Sequence, residues 1–592
     1  MLMLAVLAPA CHSPRIRDRP LHAWFPGPNA SDPARGSLHR VSSEEIEYQQ
    51  RLSQVELAIH PDSRSILALG RCAQRIGCRT ENSDAASAIP WFRDAAIHAR
   101  FTLATGPDPE TLAKAVALHN DAVERLLRAA GTGPHHTNPA WREQLAAMGI
   151  EVVPTTPDRV SLPLDELWIA SDYRVKNLDP VGQDGLGLPL ITLSRFPDRD
   201  SYPGKFFPDR LRLPSTALLS PRGSLRGGAW RAGPSVLELH DPASAVCRPI
   251  PDAPGVRLAA DFTTPMAHEF IRSPLVQLAW GGLLRPSNYN SAPGIFINGP
   301  YQKGKIPVLF VHGLWSSPDA WLRMANWLQA DPVIRDRYQF WFAYYPTGAP
   351  VMASAVRLRE SLRDLRRNLD PSGTDPWLDQ MVVVGHSLGG VLSKQLVLTS
   401  GNLLEQGLFV RPFAEVRMSE ETRQKLSRFL YFEREPSVRR LIFIAAPHRG
   451  SNTANQFIGR FGSALVRRPS EFESIHEEVV SLNGREVLQP FFQRRAPSSI
   501  DNLEWESPIL QALARLPIPA DIPYHSIVAN LTPHLSPRYW TDGVVSYESA
   551  HLDGAESEVM VHYNHFANGT RDATSEVHRI LRLHLTEIGA GF

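Results

Sequence analysis

The sequence is poor in cysteine, almost free of net charge and without long apolar runs. Four cysteines among 592 residues are far too few for a disulfide scaffold. The 62 lysines and arginines balance 61 aspartates and glutamates, so no whole-chain field exists to recruit a polyanion, and nucleic-acid binding is excluded. Past residue 11, no apolar run approaches the roughly 20 residues of a membrane-spanning helix.

Nucleotide and metal motifs are also absent. The sequence contains neither GxGxxG nor a Walker A loop, so nothing supports nucleotide binding. It contains no HExxH or CxxC, and the isolated pair His135 and His136 in GPHHTNP is expected to lie exposed in a loop. We therefore predict chemistry that needs neither a cofactor nor a metal.

The N-terminus carries the stretch MLMLAVLAPAC, an apolar run that ends at Cys11. It resembles the lipobox of a bacterial lipoprotein signal peptide, although no Lys or Arg precedes the run and Pro9 is atypical there. This resemblance implies a lipidated Cys11 and a membrane-anchored protein of the cell envelope. The alternative is an ordinary apolar N-terminus with a buried thiol, in a cytoplasmic protein. After export, Cys72 and Cys78 could pair.

A chain of this length predicts two or three domains. The residue composition and the spacing of apolar residues change along the sequence. A leader rich in Pro and Arg covers residues 1–40, and residues 41–145 show helical spacing of apolar residues. Residues 146–295 contain short apolar runs such as LPLITLS, SVLELHDP and GVRLAADF, which predict strands. Residues 296–592 are the predicted catalytic domain, with a cap insertion at about 451–520 that could act as a lid.

Within the last segment, buried strands alternate with helices. The strands IPVLFVHG, YQFWFAYYPT and MVVVGHS are separated by helical patterns near Pro318–Leu328 and Met352–Leu369. Alternation of this kind predicts an α/β fold with a mostly parallel, doubly wound sheet that helices cover on both faces.

Gly385-His386-Ser387-Leu388-Gly389 matches GxSxG, directly after the strand MVVVG and before the helical pattern GGVLSKQLVLTS. A strand that turns sharply into a helix needs small residues on both sides of the serine. Ser387 would then stand at the strand end, beside N–H groups at a helix N-terminus that suit negative charge. We predict Ser387 as a nucleophile. The alternative is a structural glycine-rich turn.

An acyl-transfer site also needs donors for an oxyanion. His312-Gly313-Leu314 follows the strand IPVLFV, the position from which one donor is supplied, and Leu388 follows the predicted nucleophile. We predict the backbone N–H groups of Leu314 and Leu388 as the oxyanion hole. Alternatively, the HG pair is a simple strand-end turn with His312 as a packing residue.

The acid and the base should follow the serine in the chain. Asp542 in TDGVVS is the preferred acid, with Asp553 in HLDGAES as the alternative. His565, in the loop HYNHFANG before the last helix, is the preferred base, and His562 is the alternative. An imidazole can accept the serine proton and later protonate the leaving alcohol, because its pKa lies near neutrality.

Five motifs occur in one order: HGLWSS, GHSLGG, AAPHRGS, TDGVVS and NHF. Together they resemble α/β-hydrolase serine esterases and lipases, including bacterial lipases and GPI-inositol-deacylase-like hydrolases, over about residues 265–590. The resemblance implies a triad of Ser387, Asp542 and His565, with Leu314 and Leu388 as oxyanion donors.

The predicted activity is hydrolysis of a small-molecule or lipid carboxylic ester through an acyl-enzyme. Thioester hydrolysis and acyl transfer would use the same residues. A different hypothesis is an envelope binding or structural lipoprotein whose hydrolase site is vestigial.

Overall fold

The structure, a computed structural model, describes most of the chain and divides it into two units. The units are Met1–Pro197 with Asp209–Glu269, and Asp198–Pro208 with Phe270–Phe592. The described residues are 15–18, 62–132, 140–155, 162–195, 210–222, 234–243, 250, 253, 255–272, 294–297, 299–451, 470–496 and 499–590. The four sequence segments proposed above stay predictions.

The first unit combines long helices with a five-stranded sheet. Its helices are α1 (Ser63–Glu81), α2 (Ala85–Ala104), α3 (Pro109–Ala129), α4 (Trp141–Ala147) and α5 (Thr263–Arg272). Its strands are β1 (Arg15–Asp18), β2 (Ile150–Pro154), β3 (Glu166–Ile169), β4 (Tyr173–Lys176), β5 (Gly182–Gln183), β6 (Leu188–Arg195), β7 (Arg210–Pro221), β8 (Ser235–His240) and β9 (Ala260–Asp261). The main sheet has the order β2-β8-β7-β6-β3. The predicted helical and strand-rich regions are confirmed, although GVRLAADF contributes only the two residues of β9.

Helices and sheet of this unit share one hydrophobic core. Phe92 of α2 and Leu126 of α3 belong to the same buried cluster as Leu218 of β7 and Leu237 of β8. A polar contact crosses this core, where the backbone N–H of Leu219 donates to Nε2 of the buried His119 at 3.3 Å. The regions separated in the sequence at residue 145 therefore pack as one body.

Cys72 and Cys78 are unpaired in α1. At about 100° per residue, six positions rotate the second side chain by roughly 240°, so the two thiols leave different faces of the helix. The pairing considered from the sequence is wrong for this reason. Partial burial raises the pKa of each thiol.

The second unit contains a seven-stranded sheet in the order β10-β12-β11-β13-β14-β15-β16. The pair β10 and β12 is antiparallel, and all the remaining pairs of neighbouring strands are parallel. The strands are β10 (Ile295–Ile297), β11 (Ile306–Val311), β12 (Tyr338–Ala343), β13 (Met381–His386), β14 (Val438–Ile444), β15 (Tyr524–Ala529) and β16 (Ser557–Val561). The mostly parallel sheet is as predicted, and β13 is buried at every position because helices cover it.

The helices of this unit are α6 (Leu322–Leu328), α7 (Pro332–Arg337), α8 (Val351–Leu369), α9 (Leu388–Lys394), α10 (Leu403–Leu408), α11 (Glu420–Leu430), α12 (Ser470–Asn483), α13 (Ser499–Asn502), α14 (Pro508–Arg515), α15 (Tyr547–Ala550) and α16 (Arg571–Glu587). Contacts between helices fall into two groups: α6 packs on α16, while α8 packs on α9 and α11. Two separate helical layers are what a doubly wound sheet requires.

The helix predicted to follow Ser387 is shorter than its sequence pattern. It ends at Lys394; residues 395–397 form a turn, and residues 398–400 have no regular secondary structure. The amine of the buried Lys394 donates to the carbonyl of Leu513 at 3.0 Å, which ties this end to α14.

The region predicted as a cap contains α12, α13 and α14, and it is contacted by a helix from outside its predicted bounds, α10. The sequence placed the cap at about 451–520, yet α10 packs on α14, and Phe409 bridges to Leu488. A cavity of about 100 Å³ lies among apolar side chains here, among them Phe472 and Phe492. Residues 452–469, with Phe457 and Phe461, lie outside the described part, so the lid stays a prediction.

Several N-terminal predictions also fall outside the described residues. Cys11 and the helical pattern of the segment SSEEIEYQQRLSQVELAIH, residues 42–60, belong to this group, as do His135 and His136. Lipidation of Cys11 stays a prediction. None of the described helices is long and apolar enough to cross a membrane.

Arg440 forms a buried ionic network at the amino ends of β14, β15 and β16. Its guanidinium donates to Nε2 of His525 at 2.6 Å and to Nδ1 of His584 at 3.4 Å. It also pairs with Glu556 at 3.0 Å and with Glu587. Both histidines accept from Arg440 and are therefore neutral, in line with burial and the Arg440 charge lowering the pKa of each to about 4.

Replacing this arginine tests how much the network stabilises the fold. Arg440→Met should lower the free energy of unfolding by about 3 kcal/mol, near the low end for a broken buried ion pair, because the two glutamates are half-exposed. Urea unfolding followed by tryptophan fluorescence measures the loss. The matched control is Arg434→Met, which removes an exposed pair with Asp521 and should cost less than about 1 kcal/mol. Equal losses in both variants would contradict the prediction.

Candidate active site

Ser387 occupies the tight turn between β13 and α9. Its φ of 54° and ψ of −126° are rare for a residue with a side chain, and such strain of about 1–3 kcal/mol persists only where neighbours enforce it. The Ser387 N–H donates to the carbonyl of Ile444 at 3.0 Å, which fixes the turn to the end of β14. The side chain is therefore held at the carboxyl edge of the sheet.

Glycines around Ser387 are required by close packing. A Cβ on Gly385 would lie 2.5 Å from Ser393 Oγ, and one on Gly390 would overlap the side chain of Ala446. A Cβ on Gly389 would overlap the carbonyl oxygens of Val311 and His312. The sequence argument for small residues at these positions thus has a direct steric basis.

His565 and Asp542 stand next to Ser387 in one hydrogen-bonded chain. His565 Nε2 is 2.8 Å from Ser387 Oγ, and its Nδ1 is 2.7 Å from Asp542 Oδ2. Since a carboxylate can only accept, Nδ1 carries the proton, and Nε2 is the acceptor for the serine hydroxyl. All three side chains are buried.

The Asp542 carboxylate is oriented by its own turn. Its Oδ1 accepts from the backbone N–H groups of Val544 at 2.8 Å and Val545 at 2.7 Å. These two bonds occupy one oxygen and leave Oδ2 directed at His565. The DGVV sequence therefore fixes the direction of the carboxylate as well as its position.

The alternative acid and base lie elsewhere. Asp553 is exposed and contacts His551 at 3.2 Å, and His562 is exposed. His578 contacts Asp331 at 2.6 Å, and Nε2 of the buried His584 contacts the Gln380 carbonyl at 2.9 Å. None of these four is brought to Ser387.

The loop that follows β11 lies against Ser387. A Cβ on Gly313 would be 2.8 Å from the Ser387 Cβ, so the HGL segment passes directly beside the serine. Leu388 is the first residue of α9, and the first N–H groups of a helix have no partner within it. The structure therefore places both predicted oxyanion residues, Leu314 and Leu388, in segments that border Ser387.

His386 is a site residue that the sequence analysis missed. Its ring is buried, and Nε2 lies 2.7 Å from the backbone carbonyl of His565. Burial lowers the pKa of His386 to about 3, so the ring is neutral and donates one N–H to that carbonyl. The position one residue before the serine was a usable signal, but the contact spans 179 positions and no local pattern reveals it.

His312 packs at the start of the loop that follows β11. Its ring stacks on Tyr345 at 4.5 Å between centroids, and the Tyr345 hydroxyl donates to the His312 carbonyl at 2.5 Å. Burial lowers the pKa of His312 to about 4. Its neutral ring therefore acts in packing, which was one of the two interpretations of the HG pair.

Within the described ranges, no group of three or more His, Cys, Asp or Glu residues is arranged to hold a metal ion. The hydrogen-bonded group at the site consists of Ser387, His565 and Asp542. Residues 308–577 match the model of the α/β hydrolase family. The second unit is an α/β-hydrolase. The predicted fold family is thereby confirmed.

Solved lipase structures resemble part of this chain at low identity. The mature Bacillus licheniformis lipase BlEst2 has 17% identity and a TM-score of 0.30, over 49% of this chain and 98% of that one. The Staphylococcus hyicus lipase has 13% identity and a TM-score of 0.28, over 49% and 97% of the two chains. Among curated proteins, none matches the sequence.

The close packing at Gly389 allows a direct test. In Gly389→Ala, the added methyl group meets two backbone carbonyls that cannot swing away, so we expect a loss of about 1–3 kcal/mol in the free energy of unfolding. Urea unfolding of the full chain measures this loss. Gly569→Ala is the matched control, because a Cβ there meets nothing within 4 Å. The steric argument fails if both variants unfold at the same urea concentration.

Proposed function

We propose that this chain hydrolyses carboxylic esters through an acyl-enzyme on Ser387. The observation that carries the proposal is the unbroken chain of hydrogen bonds from Ser387 through His565 to Asp542. This arrangement joins a nucleophile, a general base and an orienting acid, which is the combination that serine acyl-transfer chemistry needs.

In the proposed reaction, Ser387 Oγ attacks the ester carbon while its proton passes to His565 Nε2. The carbonyl oxygen becomes an oxyanion, which the N–H groups of Leu314 and Leu388 stabilise. The intermediate collapses, and His565 gives the proton to the leaving alcohol. Water then repeats the sequence on the acyl-enzyme, which releases the acid and restores the Ser387 hydroxyl. Asp542 stabilises the imidazolium that forms in each half-reaction.

Apolar character in the cap is consistent with an acyl group as substrate. The cavity among α10 to α14 has apolar walls, and its two polar residues already have partners: His476 Nε2 contacts the Phe492 carbonyl, and Asn502 Oδ1 accepts from Val351. Water would find few partners there, whereas hydrocarbon would fit.

Covalent labelling tests the nucleophile. Wild-type protein should react with a fluorophosphonate probe, and Ser387→Ala should not, because the probe forms its bond with an activated serine oxygen. Gel fluorescence and intact-mass spectrometry measure the adduct. Ser393→Ala is the matched control: this buried serine on α9 only donates to the Gly389 carbonyl at 2.7 Å. It should label normally.

Two results would count against the proposal. Labelling that persists in Ser387→Ala would exclude this serine as the nucleophile. A folded wild-type protein that is inert to the probe and to both short- and long-chain aryl esters would favour a binding protein with a vestigial site.

His386 should act as a positioning residue for His565. In His386→Phe, the ring volume is kept but the donor to the His565 carbonyl is lost. An unpaired buried carbonyl costs about 1–3 kcal/mol, so kcat should fall by about 5- to 150-fold if the loss appears in the transition state. KM should change little, since His386 has no predicted contact with substrate. Steady-state kinetics on a soluble aryl ester separate the two constants.

The control for this prediction is His386→Gln. A Gln amide can donate from nearly the same place as the imidazole Nε2, and it should recover much of the lost kcat. If Gln and Phe reduce kcat equally while both variants melt at the wild-type temperature, the hydrogen bond is not what positions His565.

A further inference from the structure

The loop that precedes Asp542 exposes an unusual share of apolar side chains. Among the described residues, seven large hydrophobic side chains are exposed, and three of them, Leu531, Leu535 and Tyr539, lie within nine positions. Their exposed fractions are 49%, 42% and 53%. Single exposed hydrophobic residues need no explanation, but a cluster of them on one loop indicates an interaction surface.

The conformation of this loop, residues 531–541, is fixed by hydrogen bonds within the loop. The Leu531 N–H donates to the Thr541 carbonyl at 2.7 Å, which closes the loop. The Thr532 hydroxyl donates to the Tyr539 carbonyl at 2.9 Å, and the Trp540 indole donates to the Leu535 carbonyl at 2.8 Å. Because these bonds lie inside the loop, the outward direction of the apolar side chains is built into its shape.

The chemistry of loop 531–541 combines apolar, aromatic and cationic groups without acid. Its sequence, LTPHLSPRYWT, contains no Asp or Glu. The Arg538 guanidinium lies 4.6 Å from the centre of the Tyr539 ring, so the cation and the aromatic face form one unit. Aromatic rings and basic side chains next to aliphatic ones are typical of segments that rest at a membrane–water interface.

Position in the fold connects the loop to the site. Loop 531–541 leaves the carboxyl end of β15 and leads directly into Asp542, and Leu531 lies over Gly543. Another exposed ring, Tyr563, follows the neighbouring strand β16 and precedes His565 by two residues. The exposed apolar groups therefore border the segments that carry the acid and the base.

We propose that loop 531–541 docks on a lipid surface, with Leu535 and Tyr539 inserted and Arg538 at the anionic headgroups. The role in catalysis rests on the proposed ester hydrolysis, because docking would bring lipid esters to Ser387. Binding itself does not depend on turnover. A lipid surface fits better than a protein partner because the loop offers aliphatic, aromatic and cationic groups together and no carboxylate.

Vesicle binding by the full chain tests the proposal. The variant L535S/Y539S should bind at least about tenfold more weakly to phosphatidylcholine vesicles that contain phosphatidylserine, since two apolar side chains no longer enter the surface. Co-sedimentation over a lipid titration measures the change. The matched control is V410S/L482S, which alters two exposed residues of the cap, 61% and 48% exposed, and should bind like wild type. Any lipid on Cys11 contributes equally to all three proteins.

Hydrolysis of a water-soluble short-chain ester checks the fold and should be unchanged in L535S/Y539S. Unchanged vesicle binding in this variant would overturn the proposal, as would a wild-type protein that does not bind vesicles. Wild-type self-association in sedimentation velocity that L535S/Y539S abolishes would assign the loop to a protein interface and would also overturn it. If wild-type protein binds vesicles through this loop but hydrolyses no ester, the docking proposal stands and the proposed ester hydrolysis is contradicted.

Discussion

The hydrogen bond between Ser387 Oγ and His565 Nε2 joins residues 178 positions apart, and three restraints hold the two side chains that make it. Asp542 fixes the tautomer through Nδ1, and His386 holds the His565 backbone from the other side. The strained turn at Ser387 holds the hydroxyl in reach. His386 and the Ser387 turn lie at the end of β13, whereas Asp542 follows β15 and His565 follows β16. The site therefore depends on the ends of three strands being assembled.

The sequence was informative where the chemistry is local. A buried strand, a glycine-flanked serine and a helix start occupy adjacent positions, and the tight turn at Ser387 could be predicted from that short stretch. The turn at Asp542 is also local, because its own N–H groups orient the carboxylate. The order of serine, acid and base along the chain could not separate His565 from His562, because both follow Asp542. His565 was preferred for its position in the loop just before the last helix.

Contacts between distant segments could not be predicted in this way. His386 and His565 meet only after β13 and the C-terminal loop are in place, and no periodic pattern records that meeting. The end of α9 at Lys394 is another example: the apolar pattern continues beyond it, but the buried lysine is anchored to a carbonyl of α14. The packing of α10 on α14 is a further example, since β14 separates these two helices in the sequence.

Polar groups are buried at the amino ends and at the carboxyl ends of the strands in the seven-stranded sheet. The hydrogen bonding of the two groups differs, and this difference explains their roles. At the amino edge, Arg440 lies between two histidines and two carboxylates, so each proton donor there already has an acceptor and the network stabilises one arrangement. At the carboxyl edge, the chain of bonds ends at a serine hydroxyl that contacts the imidazole of His565. A buried network with a transferable proton, beside N–H groups at a helix start, is suited to chemistry, whereas a fully paired one is suited to stability. The group suited to chemistry and the network suited to stability therefore lie at opposite ends of the strands of one sheet.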